Sequence, residues 1–284
     1  MNYIICSGGL GNQMFQYAFY YVMKKKLDNL SFDISSFSNR SIHNGFELED
    51  CFGVCDYTSK DNITNGINGV LYKIAVRLGL RELGIIKIER VNSFISDIPW
   101  NNSIIYGYWQ SPMFFDDYRA EIKEVFDFKN ISIHNRKIAE KMNRENSVAI
   151  HIRRGDYLTA SHYYVLSESN YYNNCIHYLE TQYQDLNYYV FSDDPEWCHN
   201  SNIFPDGTTY VNWNNGKDSY QDMFLISQSK FCVTANSTFS WWAAYLGNHN
   251  EVLCPSVYKD DWDKTKIMSF YPKEWKKISV EKIQ

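Results

Sequence analysis

The stretch Ser147-Val148-Ala149-Ile150-His151-Ile152-Arg153-Arg154-Gly155-Asp156-Tyr157 reads as an apolar strand that runs straight into charge. Successive strand side chains alternate between faces, so Val148, Ile150 and Ile152 share one face while His151 and Arg153 share the other. In α/β folds ligands bind outside the carboxyl ends of the strands, which is where this run places its arginines. Two adjacent guanidiniums are costly to desolvate without an anion. The planar guanidinium fork matches a phosphate bidentately, and such charge-assisted bonds contribute roughly 1.5–3 kcal/mol each. The plainer alternative is a surface ion pair between one arginine and Asp156, worth under about 1 kcal/mol.

Two more strand ends follow in the same half of the chain. Asn187-Tyr188-Tyr189-Val190-Phe191 leads into Ser192-Asp193-Asp194-Pro195. Asp194 before Pro195 is a ready helix cap with proline at the first helical position. Asp193 has no such duty, and its carboxylate could accept the N1 and N2 hydrogens of a guanine. Phe231-Cys232-Val233 leads through Thr234-Ala235-Asn236-Ser237-Thr238 into an apolar helix closed by Gly247. There Ser237 or Thr238 caps the helix, or the hydroxyls and free amides around them hold a diphosphate. Near the N-terminus, Ser7-Gly8-Gly9-Leu10-Gly11-Asn12-Gln13 is a glycine-rich turn between strand and helix. It has neither dinucleotide nor Walker spacing. It reads either as an anion-facing turn or as a tight turn with Asn12 as helix cap.

Strands and helices alternate along the chain, which implies α/β layering on parallel sheet. Expected strands are Asn2–Cys6, Ile104–Trp109, Ser147–Ile152, Asn187–Ser192, Lys230–Thr234 and Glu251–Cys254. Expected helices are Asn12–Leu27, Lys73–Leu83, Tyr118–Phe126, Ser169–Thr181, Ser219–Ser229 and Phe239–Leu246. In the first helix Met14, Ala18 and Val22 form one apolar stripe. The polar run Asn130–Asn146 reads as a linker carrying a helix. Two domains are expected, 1–143 and 144–284.

The 284 residues suffice for two such cores. A net charge of −5 without a clustered basic surface argues against nucleic acid as a partner. Seven scattered cysteines lack any CxxC pair, and they read as reduced thiols in a reducing compartment. The N-terminus has no signal-peptide pattern and no run approaches a membrane span, so a cytoplasmic protein is expected, with peripheral contact at the inner face of the membrane left open. Aromatic residues make up 17% of the chain, including 23 Tyr and 8 Trp, which suits sugar handling as well as core packing.

His151-Ile152-Arg153-Arg154-Gly155-Asp156 resembles the HxRRxD signature of α-1,2- and α-1,6-fucosyltransferases, related to protein O-fucosyltransferases. Gly8–Ala18, Phe46-Glu47-Leu48, Gly107-Tyr108-Trp109-Gln110 and Asn236–Trp242 resemble the bacterial α-1,2-fucosyltransferase family specifically, from about residue 4 to 260. Trp109 departs from the Phe or Tyr expected there. The resemblance implies a GT-B-like α/β fold with two Rossmann-like domains facing a central cleft. It implies an acceptor-side N-terminal domain and a C-terminal domain that binds GDP-fucose. It also implies inverting transfer of L-fucose to the 2-hydroxyl of a galactose-terminated glycan or lipid-linked oligosaccharide, without a metal or other cofactor. By the same resemblance Arg153 holds the β-phosphate with Ser237 or Thr238 assisting, while His151 and Asp193 face the nucleoside. The attacking hydroxyl must shed a proton to a nearby carboxylate or imidazole, for which Asp156 is the candidate and His151 or Glu47 the alternatives, so Arg153, Asp156 and His151 are the candidate catalytic residues. Gly9, Asn12, Arg154, Ser192, Asp193, Asn236, Ser237 and Thr238 are the candidate donor contacts. Competing readings are a fucosyltransferase of another linkage, a metal-dependent transferase using Asp261-Trp262-Asp263, and a non-catalytic carbohydrate-binding protein.

Overall fold

The structure is a computed structural model that describes residues 2–37, 44–58, 82–83, 86–90, 100, 103–160 and 162–281. The chain divides into two compact units, Met1–Lys129 and Asn130–Gln284.

The first unit contains β1 (Asn2–Ile5), α1 (Leu10–Lys24), β2 (Leu30–Asp33), α2 (Leu48–Phe52), β3 (Glu82–Leu83), β4 (Ile86–Arg90), β5 (Ser103–Tyr106) and α3 (Arg119–Val125). Its strands lie in the order β2-β1-β5-β4-β3, all parallel except the β3–β4 pair. Met14, Ala18 and Val22 are all buried, as their helical spacing requires. Helix α1 begins at Leu10, two residues before the expected start. Extended Gly9 occupies the capping position, and Asn12 lies inside the first turn rather than capping it. Of the expected helix Lys73–Leu83, residues 73–81 lie outside the described residues and Glu82–Leu83 is strand β3.

The second unit contains α4 (Ile133–Arg144), β6 (Asn146–Ile152), α5 (Tyr171–Gln182), β7 (Leu186–Ser192), α6 (Pro195–Asn200), β8 (Thr209–Val211), α7 (Tyr220–Ser227), β9 (Phe231–Val233), α8 (Thr238–Leu246), β10 (Glu251–Pro255), α9 (Lys264–Phe270) and β11 (Lys276–Ile278). Its six strands are all parallel, in the order β11-β10-β9-β6-β7-β8. Parallel sheets are covered on both faces, and the central strand β6 is buried from Ser147 to Ile152. Val148, Ile150 and Ile152 pack with Tyr171, Cys175 and Leu179 of α5 in one apolar core.

The division falls after Lys129, not after residue 143 as the polar composition suggested. Helix α4 belongs to the second unit because its first turn is tied there by buried polar groups. Ser132 caps it through Asn135 N–H. Asn135 has no solvent exposure; its amide donates to Gln221 Oε1 and Asn214 Oδ1 at 2.8 Å each and accepts from Trp213 Nε1 at 2.8 Å.

In the second sheet the strand order reverses once, between β6, which runs on to β7, and β9, which runs on to β10. Such a reversal opens a crevice at the carboxyl ends of the two strands, because the connections leave in opposite directions. All seven cysteines are free thiols, and only Cys55 is exposed. No helix among the described residues is long and apolar enough to cross a membrane.

Candidate active site at the β6–β9 switch point

Strand β6 delivers His151 and Arg153 to its carboxyl end, and β9 delivers the turn Thr234–Ser237 that starts α8. Ser237 is the helix cap: its backbone is extended and its Oγ accepts from Phe239 N–H at 3.3 Å. The Ser237 and Thr238 N–H groups make no hydrogen bond among the described residues, and donors left open at a helix start favour an anion.

His151 is 7% exposed and lies against Phe239 of α8, ring centroids 5.4 Å apart. Its Nδ1 is buried with no hydrogen-bond partner among the described residues. A buried orphan of this kind points to a missing partner. Burial, with the Arg153 charge adding to it, lowers the His151 pKa to about 3. The imidazole is thus neutral at ordinary pH and too weakly basic for the general-base role suggested for it, but it can still exchange a hydrogen bond with a ligand.

Arg153 is pre-set by two carboxylates. Its Nε and Nη2 meet Asp156 Oδ1 at 3.0 and 2.7 Å, and its Nη1 meets Asp193 Oδ2 at 3.0 Å. Asp193 also accepts from Arg154 N–H at 2.9 Å, so both its oxygens are engaged on the arginine turn. Gly155 permits this approach: a Cβ there would stand 2.5 Å from Asp193 Oδ2. Tyr157 adds its ring 5.7 Å from the Arg153 guanidinium carbon.

The second arginine takes a different part. The Arg154 side chain is 11% exposed, bonds Asp194 Oδ2 and Ser167 Oγ, and stacks 4.2 Å over Trp197. It braces α6 and has no donor turned to the crevice except what these partners leave. Asp194 caps α6 as expected, and Ser192 Oγ accepts from Asp194 N–H. Asn236 is fully buried, with its amide donating to Tyr164 O and Tyr258 O. The switch point therefore gathers His151, Arg153, Asp156, Asp193, Ser237 and Thr238. It engages Arg154, Ser192 and Asn236 in holding that frame.

The two donor contacts expected from the N-terminal motif lie in the first unit, after the carboxyl end of β1. Gly9 caps α1, and Asn12 Oδ1 accepts from Gln110 Nε2 at 2.8 Å. The rest of that motif is scaffold. Gln13 donates to Gly8 O and Gly45 O and accepts from Glu47 N–H, while Gln16 donates to Gly107 O and accepts from Ser7 N–H. Glu47 is buried and accepts from Asn44 Nδ2 at 3.0 Å. Sequence reading missed these two glutamines and Tyr157; the clue was polar residues on the helix face that is otherwise apolar. In Asp261-Trp262-Asp263, Asp263 caps α9 through Lys266 N–H and Trp262 stacks on Tyr258, which accounts for both structurally.

Residues 85–279 match the profile of glycosyl transferase family 11. The chain is 31% identical to an α-1,2-colitosyltransferase of Escherichia coli over 97% of both proteins. It is 33% identical to the O-antigen biosynthesis glycosyltransferase WbnK of Escherichia coli, over 90% of this chain and 94% of that one. Among solved structures, a mutant of Arabidopsis thaliana FUT1 in complex with GDP superposes with a TM-score of 0.53 at 15% identity, covering 97% of this chain and 75% of that one. That likeness concerns the fold, which is α/β and GT-B-like, as expected. With the profile spanning most of the chain and the full-length relatives agreeing, the protein belongs to glycosyl transferase family 11.

Proposed function

We propose that this protein transfers L-fucose from GDP-β-L-fucose, with inversion, to the 2-hydroxyl of a terminal β-galactose, in the cytoplasm and in the making of a surface glycan. The observation that carries the reading is the β6–β9 switch point, where Arg153, the unspent amides at the start of α8 and the orphan Nδ1 of His151 converge. A nucleoside diphosphate would supply acceptors for the α8 amides and a partner for His151, beside a guanidinium already fixed by Asp156 and Asp193.

In this mechanism the acceptor hydroxyl attacks in line as GDP leaves. Negative charge grows on the β-phosphate in the transition state, so donors already aimed there stabilise it preferentially. Arg153 is such a donor, held by Asp156 and Asp193 without needing to reorganise. Asp156 is 58% exposed, with one oxygen spent on Arg153, and is the group proposed to take the acceptor proton. No metal is assigned a role, so turnover should survive EDTA.

A second donor has specific support. Colitose is L-fucose without its 3-hydroxyl, and the Escherichia coli relative is named for it. The same pyrophosphate grip serves either GDP-sugar; only contacts to the sugar would separate them.

The test has two arms. Calorimetry should detect GDP binding to the wild type and its loss in Arg153→Ala. Incubation with GDP-fucose or GDP-colitose and a panel of galactosides, with linkage assigned by NMR, should give an α-1,2 product. A folded Arg153→Ala variant that keeps over about a tenth of wild-type kcat has lost less than about 1.4 kcal/mol of transition-state stabilisation, and the role given to Arg153 is then wrong.

A further inference from the structure

We propose that Tyr157 and Asn236 are positioning residues that aim the Ser237 N–H at the donor's pyrophosphate and couple that turn to the one carrying Arg153; the proposal rests on the nucleotide reading above.

The Tyr157 hydroxyl donates to the carbonyl oxygen of Asn236 at 2.9 Å. In a trans peptide the carbonyl and the following N–H lie in one plane and point in opposite directions. Fixing the Asn236 carbonyl toward Tyr157 therefore fixes the Ser237 N–H the other way. That N–H makes no hydrogen bond among the described residues, and it stands at the open start of α8.

The Asn236 side chain locks the same peptide from a second side. Its two amide hydrogens meet Tyr164 O at 2.9 Å and Tyr258 O at 3.0 Å. Only an amide at this length supplies two donors to two carbonyls; a carboxylate would oppose them with acceptors alone. Both carbonyls belong to segments that are themselves held. Tyr157 stacks on Tyr163 at 4.1 Å, and Tyr258 stacks on Trp262 at 4.5 Å.

Tyr157 also directly follows Asp156, which grips Arg153, and both sit in one 3-10 turn, Gly155–Leu158. One side chain thus ties the amide donor of the β9–α8 turn to the turn that presents the guanidinium. The ring is buried, and burial raises its phenol pKa well above the ordinary value, so the hydroxyl keeps its proton. Tyr157 acts through a backbone donor, and so do the two amide hydrogens of Asn236, whose Oδ1 is buried without a partner among the described residues.

The experiment compares GDP with guanosine, the same nucleoside without phosphates, in the full-length protein. Tyr157→Phe keeps the ring stack and deletes only the hydroxyl. Its GDP affinity should fall roughly 3- to 10-fold, the size of one hydrogen bond, while guanosine affinity and the acceptor KM stay at wild-type values and kcat drops. Asn236→Asp should lose GDP more severely. Equal losses for GDP and guanosine in folded Tyr157→Phe, or unchanged GDP affinity, would overturn the proposal while leaving the enzyme reading intact. A wild type that binds neither compound would remove the nucleotide reading itself, and this inference with it.

Discussion

At the scale of single residues, burial decides protonation before chemistry does. His151 sits beside a cation and out of water, and its pKa is lowered to about 3 from an unfolded value near 6.5. A histidine shifted in this direction binds its proton in the unfolded chain first. Its contribution to stability is present above pH 6.5 and is lost as pH falls from there toward 3. Wild type should therefore lose about 1.6 kcal/mol relative to His151→Gln between pH 6.5 and pH 5, because the slope reaches 1.36 kcal/mol per pH unit only once the unfolded histidine is fully protonated. Urea titrations of both proteins at the two pH values measure this. Parallel losses would mean that the imidazole is not held neutral. The arginine pair could be read from the sequence as an anion site, but the division of labour within it could not. Arg153 pairs with Asp156 and Asp193 while Arg154 packs on Trp197, because Trp197 and its helix cap Asp194 come 40 or more positions along the chain. Contacts of that range leave no mark on local spacing.

At the scale of elements, the second half was the more legible. Six parallel strands and their crossover helices impose alternation, and the strands expected from 147, 187, 230 and 251 match β6, β7, β9 and β10 to within one residue at each end. The three-residue edge strands β8 and β11 were missed, since so short a run carries no period. The helix expected within the polar run 130–146 is present as α4, but it is no linker: its polarity suggests solvent, whereas the Asn135 amide is spent in a buried network. The same inversion marks α1. Gln13 and Gln16 have no exposure, and each spans two loops at the carboxyl edge of the first sheet. A buried polar side chain is cheap only while it is fully bonded. Gln16→Leu, of similar volume, should leave Gly107 O and Ser7 N–H stranded at about 1–3 kcal/mol for each group that stays dry. The loss is read from the urea midpoint with the slope checked for constancy. A change within about 0.5 kcal/mol would show that water replaces the amide and that the glutamine is not a clamp.

At the scale of the whole molecule, charge does not favour the ligand from afar. The chain carries −5, and at the β6–β9 switch point two guanidiniums face the carboxylates of Asp156, Asp193 and Asp194. A GDP anion approaching this protein meets a weakly repulsive field, and attraction begins only at contact, through directed donors rather than net charge. Salt screens the long-range part, with a Debye length near 10 Å at 0.1 M, and leaves contact geometry largely in place. Binding sites that steer their ligands lose association rate steeply as salt is raised. Here the sign should be reversed or absent: the association rate constant for GDP should stay level or rise between about 0.05 and 0.5 M salt. Stopped-flow measurement across that range, using tryptophan fluorescence from the eight indoles, gives the slope. A tenfold fall in rate would mean that cationic surface outside these residues guides the nucleotide in, and that capture at this switch point is driven by field rather than by the fixed donors of β6 and α8.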